Sequence, residues 1–506
     1  MGQLKQLAGQ TAIYGISSIL GRTINFFLLP IYTAYLLKED LGSFTSIYAL
    51  IAFFNVIFTF GMETAYFRFS TGKNLDPKRV FSNAQSLILI SSLTLGALLY
   101  LNANAFSIWL DYPGKAYLFK WTALILTIDA VLAIPYAKLR AENKALQFAM
   151  TKLLNILLNV GFNIFFIVFC FHVVNGDLLV AWKPFISSFY RPEWGVDYIL
   201  LANLLANASI VPILFFLTGK FKITLEKDIL KPMWRYAIPL LFMGLAGVTN
   251  DVFSRMLFEY ILPEGFYPGL NSREAAGVFG ANFRLAIIMS LIIQAFKYAA
   301  EPFFFNQSTE KNSPELFAKV MHWFIIFCTT LMILVSVNLD IIGPLFLRNE
   351  GYMDGLHIVP MLLMGYLLLG VYFNLSIWFK LTDQTKYSFY ITLAGAVVTI
   401  LVILLLVPRL GYIGGSLSTL ATYLTMCVIC YYYGQKYFPI PYQTTRNIFY
   451  LVLGFALSYT GFYLDLGNPY LNFAIHNLLV LAFLMTVTFL EKKELSLIIQ
   501  KIKHSS

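Results

Sequence analysis

The chain has 506 residues, 58% of them apolar and 12% charged, with a net charge of +10. The apolar residues gather in about fourteen runs, each long enough to cross a bilayer, for which a helix takes about 20 such residues. That excludes a soluble enzyme, because the longest segments between runs, 175–195 and 218–233, are too short to enclose a core of their own.

In chain order the expected spans are 9–37, 39–66, 80–103, 116–137, 148–174, 196–217, 234–260, 275–300, 316–338, 355–379, 387–408, 411–433, 446–465 and 470–490. Length and pattern predict helix in each. If the N-terminus is cytoplasmic, the inside loops and flanks hold 23 Lys and Arg and the outside loops 8. This positive-inside bias puts both termini in the cytoplasm. The excess charge lies in short loops beside apolar spans, where it meets anionic headgroups, so membrane lipids and not nucleic acid are its expected partner. The first run is too long for a signal peptide, contains Arg22 and lacks an A-x-A-like end, so it should be retained. Gln6 stands where myristoylation wants Ser or Thr.

Cys170, Cys328, Cys427 and Cys430 all fall in apolar spans. Cys427-Val-Ile-Cys430 has the spacing of a redox or metal motif but no second ligand pair, and it reads as a buried structural pair. The histidines are scattered without metal-ligand spacing, so no metal and no cofactor are expected.

At an offset of 235, Glu39, Gly42 and Phe44 align with Glu274, Gly277 and Phe279. At an offset of 242, Lys138, Leu139 and Lys144 align with Lys380, Leu381 and Lys386. Both matches point to a duplication of six helices. Six is even, so the halves enter the membrane in the same orientation, a parallel repeat with a cavity between two lobes. The expected fold is therefore all-α integral membrane, with about 14 transmembrane helices in two six-helix lobes plus two C-terminal helices. The N-terminal lobe is 1–217, a cytoplasmic linker 218–233, the C-terminal lobe 234–436 and the two additional helices 437–490. Residues 491–506 form a tail whose Leu495, Ile498, Ile499 and Ile502 have the spacing of an interfacial helix.

Charged residues within spans carry most of the functional signal, since each costs at least ~2.5–3.5 kcal/mol at a helix centre unless it faces a cavity or a partner. At ~1.5 Å per residue, Arg22 lies ~20 Å into span 1 and Arg284 ~15 Å into span 8, both near mid-membrane. Asp251, Arg255 and Glu259 share one face of span 7. Arg22, Arg255 and Arg284, with Asn25, are the candidate substrate-binding residues. Asp251, Glu259 and Asp129 are candidates for ion coupling. Glu63, Arg68, Lys297 and Glu301 come out near the cytoplasmic ends of spans 2 and 8 and are candidates for a gate. Pro30, Pro135, Pro239 and Pro360 are expected to interrupt spans 1, 4, 7 and 10. There is no G-x-S-x-G and no phosphate-binding loop, so ATP is not expected to drive the protein and it is not expected to be an enzyme.

The segments Gly61-Met-Glu-Thr-Ala-Tyr-Phe-Arg-Phe69, Ala133-Ile-Pro-Tyr-Ala-Lys-Leu-Arg-Ala-Glu-Asn-Lys144 and Phe379-Lys-Leu-Thr-Asp-Gln-Thr-Lys386, followed by Val407-Pro-Arg-Leu-Gly-Tyr-Ile-Gly-Gly-Ser-Leu-Ser-Thr-Leu-Ala-Thr-Tyr423, resemble the polysaccharide flippases of the multidrug/oligosaccharidyl-lipid/polysaccharide exporter superfamily. The resemblance covers nearly the whole chain. It implies a V-shaped core of two six-helix lobes and movement of an undecaprenyl-pyrophosphate-linked glycan from the inner to the outer leaflet of a bacterial inner membrane. The expected partners are that lipid-linked glycan and the polysaccharide polymerase or glycosyltransferases that handle it. Lipid II flippases of the same superfamily carry an Arg-Asp pair in span 1, whereas this chain reads Arg22-Thr-Ile-Asn25. That favours an O-antigen, capsule or exopolysaccharide unit over the peptidoglycan precursor. A cation-coupled multidrug exporter of the same fold would favour a carboxylate-rich cavity. A glycan polymerase would need a larger outer loop than 175–195.

Overall fold

The structure, a computed structural model, describes residues 20, 23–24, 26–71, 75–307, 312–382, 384–494 and 496. All regular structure among them is helical. Twelve helices are long and apolar enough to cross a membrane. They are α2 (Lys38–Ser70), α3 (Pro77–Leu101), α4 (Ala116–Ala141), α5 (Ala145–Asn175), α6 (Asp197–Thr218), α7 (Lys227–Ile261), α8 (beginning at Ser272), α9 (Ser313–Val337), α10 (Glu350–Leu381), α11 (Lys386–Leu410), α12 (Tyr412–Tyr437) and α14 (Pro469–Leu490). Each lies where a span is expected. Of span 1, most residues fall outside the description, and its end forms the short helix α1 (Leu29–Tyr35). The span expected at 446–465 is helix α13 (Thr444–Tyr463). The amphipathic pattern of the C-terminal tail lies outside the described residues.

The neighbours of each helix repeat at an offset of six. In the first half α3 packs on α4, α2 and α6 on α4, and α5 on α6; in the second α9 packs on α10, α8 and α12 on α10, and α11 on α12. Contact between the halves concentrates on α2, which lies along both α7 and α8. The α2–α8 crossing is reciprocal. A Cβ on Gly42 would overlap the carbonyl oxygen of Arg273, and a Cβ on Gly277 would overlap that of Lys38. Small residues let two helix backbones meet where lipid supplies no hydrophobic drive. Residues 235 positions apart thus exchange places across this crossing.

Helix breaks differ from expectation. Pro135 lies inside an unbroken α4, and Pro232 and Pro239 inside an unbroken α7. One missing backbone hydrogen bond is tolerated where neighbouring helices hold the segment. Pro360 stands in the first turn of the α-helical part of α10, after a 3-10 segment Glu350–Ile358, so it interrupts nothing. The break comes instead in α2, where Phe60 (φ 34°) and Gly61 (φ 73°) are left-handed. Gly61 is needed there on two counts, since a Cβ would also lie 2.8 Å from that of Leu240 in α7.

The segment expected as the linker 218–233 is extended only over 219–226, and α7 begins at Lys227. It is strapped to α3. Glu226 pairs with Arg79, its backbone N–H donates to Asn83 Oδ1 (2.6 Å), and Thr224 N–H donates to Ser86 Oγ (3.0 Å). At the other end of the chain, α13 and α14 dock on α9 through a buried polar cluster. His322 Nδ1 lies 2.7 Å from Asn447 Oδ1, while Glu491, 1% exposed, accepts from Tyr450 (2.8 Å) and Arg446 (3.2 Å). Glu491 therefore has its charge compensated, as a buried carboxylate requires.

Candidate functional site: a cavity between the two halves

A cavity of about 1530 Å³ opens between the halves, lined by α2, α4, α5 and α6 on one side and by α7, α8, α10, α11 and α12 on the other. Tyr32, Phe44 and Ile199 are among its lining residues, and it extends toward the helix ends that carry Glu63, Arg140, Lys152, Lys297 and Ser388. The opposite end of the bundle is sealed. There Arg273 donates to the Asp111 carbonyl (2.7 Å) and is ion-paired with Asp111 (3.4 Å), Glu259 (3.7 Å) and Glu39 (3.9 Å). Tyr112 OH donates to Glu259 Oε1 (3.1 Å) and Tyr260 OH to the Leu110 carbonyl (3.2 Å). These bonds tie the α3–α4 loop of the first half to the α7–α8 corner of the second, just beyond the Gly42–Gly277 crossing.

Arg255 and Arg284 both line the cavity. The Arg284 guanidinium lies over Phe44 (4.3 Å) and Tyr32 (5.6 Å), and among the described residues no carboxylate is ion-paired with it. Arg255 stacks over Phe283 (4.6 Å), donates to the Asp251 carbonyl (3.3 Å) and lies 3.9 Å from the Asp251 carboxylate. Ring faces attract the cation without using up its planar fork of donors. Asp251, Asp129, Glu63 and Lys297 also line the cavity. Glu63 pairs with Arg140 of its own half, and Lys297 lies over Phe373 (4.5 Å).

Five of the expected site residues lie outside the cavity lining or outside the description. Glu259 shares a helix face with Asp251 and Arg255 in projection, yet it is 7% exposed and belongs to the Arg273 seal, one turn too near the helix end to reach the cavity. Arg68 is exposed and lies over the Tyr236 ring (4.4 Å), outside the cavity lining. Arg22, Asn25 and the side chain of Glu301 lie outside the described residues. Cys427 lies between helices and donates its thiol to the Leu368 carbonyl (3.1 Å).

Sequence reasoning missed a wall of carboxamides. Asn155 and Asn159 on α5, Asn203 and Asn207 on α6 and Asn55 on α2 all line the cavity. All of them except Asn159 form a connected network. Asn155 Nδ2 donates to Asn207 Oδ1 (2.8 Å), Asn207 Nδ2 to Asp129 Oδ1 (2.6 Å) and Asn203 Oδ1 (3.0 Å), Asn203 Nδ2 to Tyr48 OH (3.2 Å), and Asn55 Nδ2 to Asp129 Oδ2 (3.4 Å). The signal was present in the i, i+4 spacing of both asparagine pairs, which puts each pair on one helix face.

No family model matches the chain, and no curated protein does either. Solved structures do match. The lipid II flippase MurJ in an inward closed conformation superposes with a TM-score of 0.66 at 15% identity, over 96% of this chain and 100% of that one. An inward-facing multidrug resistance MATE family transporter of the MOP superfamily gives 0.56 at 17% identity, over 81% of this chain and 93% of that one. A MATE transporter in complex with MaD3S gives 0.54 at 15%, over 85% and 95%. The chain is thus a multi-pass membrane protein with the fold shared by these flippase and transporter structures.

Proposed function

We propose that this protein flips an undecaprenyl-pyrophosphate-linked oligosaccharide from the inner to the outer leaflet of a bacterial inner membrane by alternating access, in polysaccharide biosynthesis and export. The observation that carries the reading is Arg284, a cation that faces a large cavity, lies on aromatic rings and has no carboxylate paired with it among the described residues. A pyrophosphate crossing the low-dielectric midplane needs such compensation, and Arg supplies it with donors matched to phosphate oxygens. In this reading both termini are cytoplasmic, the Arg140 end of the cavity admits the headgroup from the cytoplasm, and the Arg273 seal faces outward. Rocking of a lobe 1–217 against a lobe 234–436 would open that seal and close the other end. Asp129 and Asp251 are the proposed ion-coupling carboxylates, and Arg22 and Asn25 of span 1 are proposed to complete the headgroup site. The glycosyltransferases that build the glycan and the polymerase that extends it are the implied partners.

The test is flipping in proteoliposomes of a polyprenyl-pyrophosphate-linked oligosaccharide. Arg284→Ala should lower the rate at least about 100-fold without lowering membrane insertion, the scale of losing a charge-assisted bidentate contact in a low-dielectric site. Arg409→Ala, on an exposed helix end, should leave the rate unchanged. Full activity of Arg284→Ala would end the cationic-cavity reading. A second reading, transport of lipid II, is supported by the whole-length correspondence with MurJ. It shares the pyrophosphate and differs in what is attached.

A further inference from the structure

The two sides of the cavity differ in chemistry, and that difference bears on the glycan. The second-half lining carries Arg255, Arg284 and Lys297 against Asp251. The first-half lining carries Glu63 and Asp129 against Arg140 and Lys152, so its charges balance, and its remaining polar surface is mostly carboxamide. Polar side chains on membrane helices are expensive unless they face water, a partner or a ligand. Five asparagines facing one cavity therefore make a hydrated wall. A carboxamide offers a donor and an acceptor on one rigid plane and no charge. Hydroxyl and acetamido groups of a sugar ask for that pairing, and phosphate does not.

We propose that the carboxamide wall of α5 and α6 is the glycan subsite, and that it selects an uncharged oligosaccharide. The inference rests on the proposed function, since it takes the pyrophosphate to be held by the opposite wall. With that end at Arg284 and Arg255, the sugars extend over Asn159, Asn203 and Asn155 toward the Arg140 end. An acidic sugar or an acidic peptide in this position would face Asp129, whose two oxygens already accept from Asn207 and Asn55. Arg140 is paired with Glu63 and Lys152 is set against Asp129, so this wall leaves a sugar carboxylate no uncompensated cation, which counts against carboxylate-bearing substrates.

Asn159 gives the cleanest probe, because its side chain accepts from Asn163 Nδ2 (3.1 Å), which also bonds the Asn159 carbonyl (2.8 Å) and keeps that partner when the side chain changes. The experiment measures binding to the purified full-length chain, in lipid nanodiscs, of three probes: a polyprenyl pyrophosphate without sugar, the same lipid bearing a neutral N-acetylhexosamine-containing oligosaccharide, and the same lipid bearing a hexuronate. Wild type should bind the neutral glycolipid at least about 10-fold more tightly than the sugar-free lipid, and the hexuronate form at least about 10-fold more weakly than the neutral one. Asn159→Leu and Asn155→Leu should each weaken the neutral glycolipid by about 10-fold while leaving the sugar-free lipid unchanged, which also reports that the variants are folded. Asn159→Gln should retain most of the preference. Arg284→Ala should weaken all three probes. If Arg284→Ala weakens all three but neither asparagine variant affects the glycolipid, the glycan wall is wrong and the flippase reading stands. If Arg284→Ala weakens none, the flippase reading fails first. Tighter binding of the hexuronate form, or of lipid II, than of the neutral glycolipid overturns the selectivity.

Discussion

The cavity wall built by the first half is held together by its own hydrogen bonds, whereas the wall built by the second half is held by rings. Asn155, Asn207, Asn203 and Asp129 satisfy one another in a chain that spans three helices. Arg284 and Arg255 rest on Phe44 and Phe283. A self-satisfied network keeps its geometry without a ligand and exchanges bonds one at a time, which suits a long, neutral, variable object. A cation on an aromatic face keeps its donors for a phosphate, which suits a short, highly charged one. The same pairing of neighbours in the two halves thus presents two different polar linings to the cavity.

The comparison can be broken in graded ways. The largest effect should come from the crossing that closes the cavity: Gly42→Leu would drive a side chain into the Arg273 backbone. Overpacking of this kind costs about 1–3 kcal/mol or more, so the variant should either unfold at lower temperature or expose the Arg273 end. Labelling of a cysteine placed at Ser46, which is 4% exposed and lies against Glu259 of the seal, by a membrane-impermeant thiol reagent, with thermal unfolding in detergent alongside, separates these outcomes; unchanged labelling and stability would contradict the closed crossing. Next, Arg255→Ala should slow flipping about 10-fold, less than the loss expected at Arg284, because Asp251 already compensates Arg255. Equal losses at both positions would mean that the second wall acts as one undivided charge. Asn207→Leu removes the donor to Asp129 and Asn203 and should lower stability by about 1–3 kcal/mol, the cost of a buried polar partner left unsatisfied, measured by thermal unfolding. Outside both walls, Cys427→Ala with Cys430→Ala should leave flipping within about a few-fold, since the loss is a weak thiol bond to the Leu368 carbonyl and a thiol contact with Trp378. Smallest of all is the pH response of the strap. Hydrogen bonds from Arg79 and Asn83 hold the Glu226 carboxyl below its usual range. Its contribution is complete above the unfolded value of about 4.3 and is lost only as pH falls through the lower folded value. Protease cleavage after Lys220 or Lys222 should therefore be equal at pH 8 and pH 5.5.

The spans were legible because lipid imposes a length that the sequence must repeat. Thirteen expected spans coincide with helices to within a few residues, apart from the early start of α7 at Lys227 and the late end of α8 at Gln307. The breaks were not legible. Pro135 and Pro239 looked like interruptions and lie within continuous helices, while Phe60-Gly61 lay unnoticed in an apolar run, because neighbouring helices decide which backbone defect is tolerated. Within the site, ranking residues by the cost of burying charge found Arg255, Arg284, Asp129 and Asp251, all of which line the cavity. The same ranking passed over the asparagines, whose individual cost is small and whose collective placement is the informative fact. It also kept Glu259, because depth along a helix does not say whether a carboxylate meets the cavity or, as here, Arg273.

The Gly42–Gly277 crossing has a consequence for speed. Two helices locked by interleaved side chains must change rotamers before they part, and each change adds a barrier. At Gly42 and Gly277 backbone meets backbone, with the facing carbonyls already bonded along their own helices, so parting the helices at these two points disturbs no rotamer and breaks no ladder. Resistance to opening is then concentrated in the few polar bonds of Arg273, Tyr112 and Tyr260. If the halves rock as proposed, the crossing would serve as a smooth bearing with a separate catch, and tuning the catch would change how often the molecule opens without altering the path it follows.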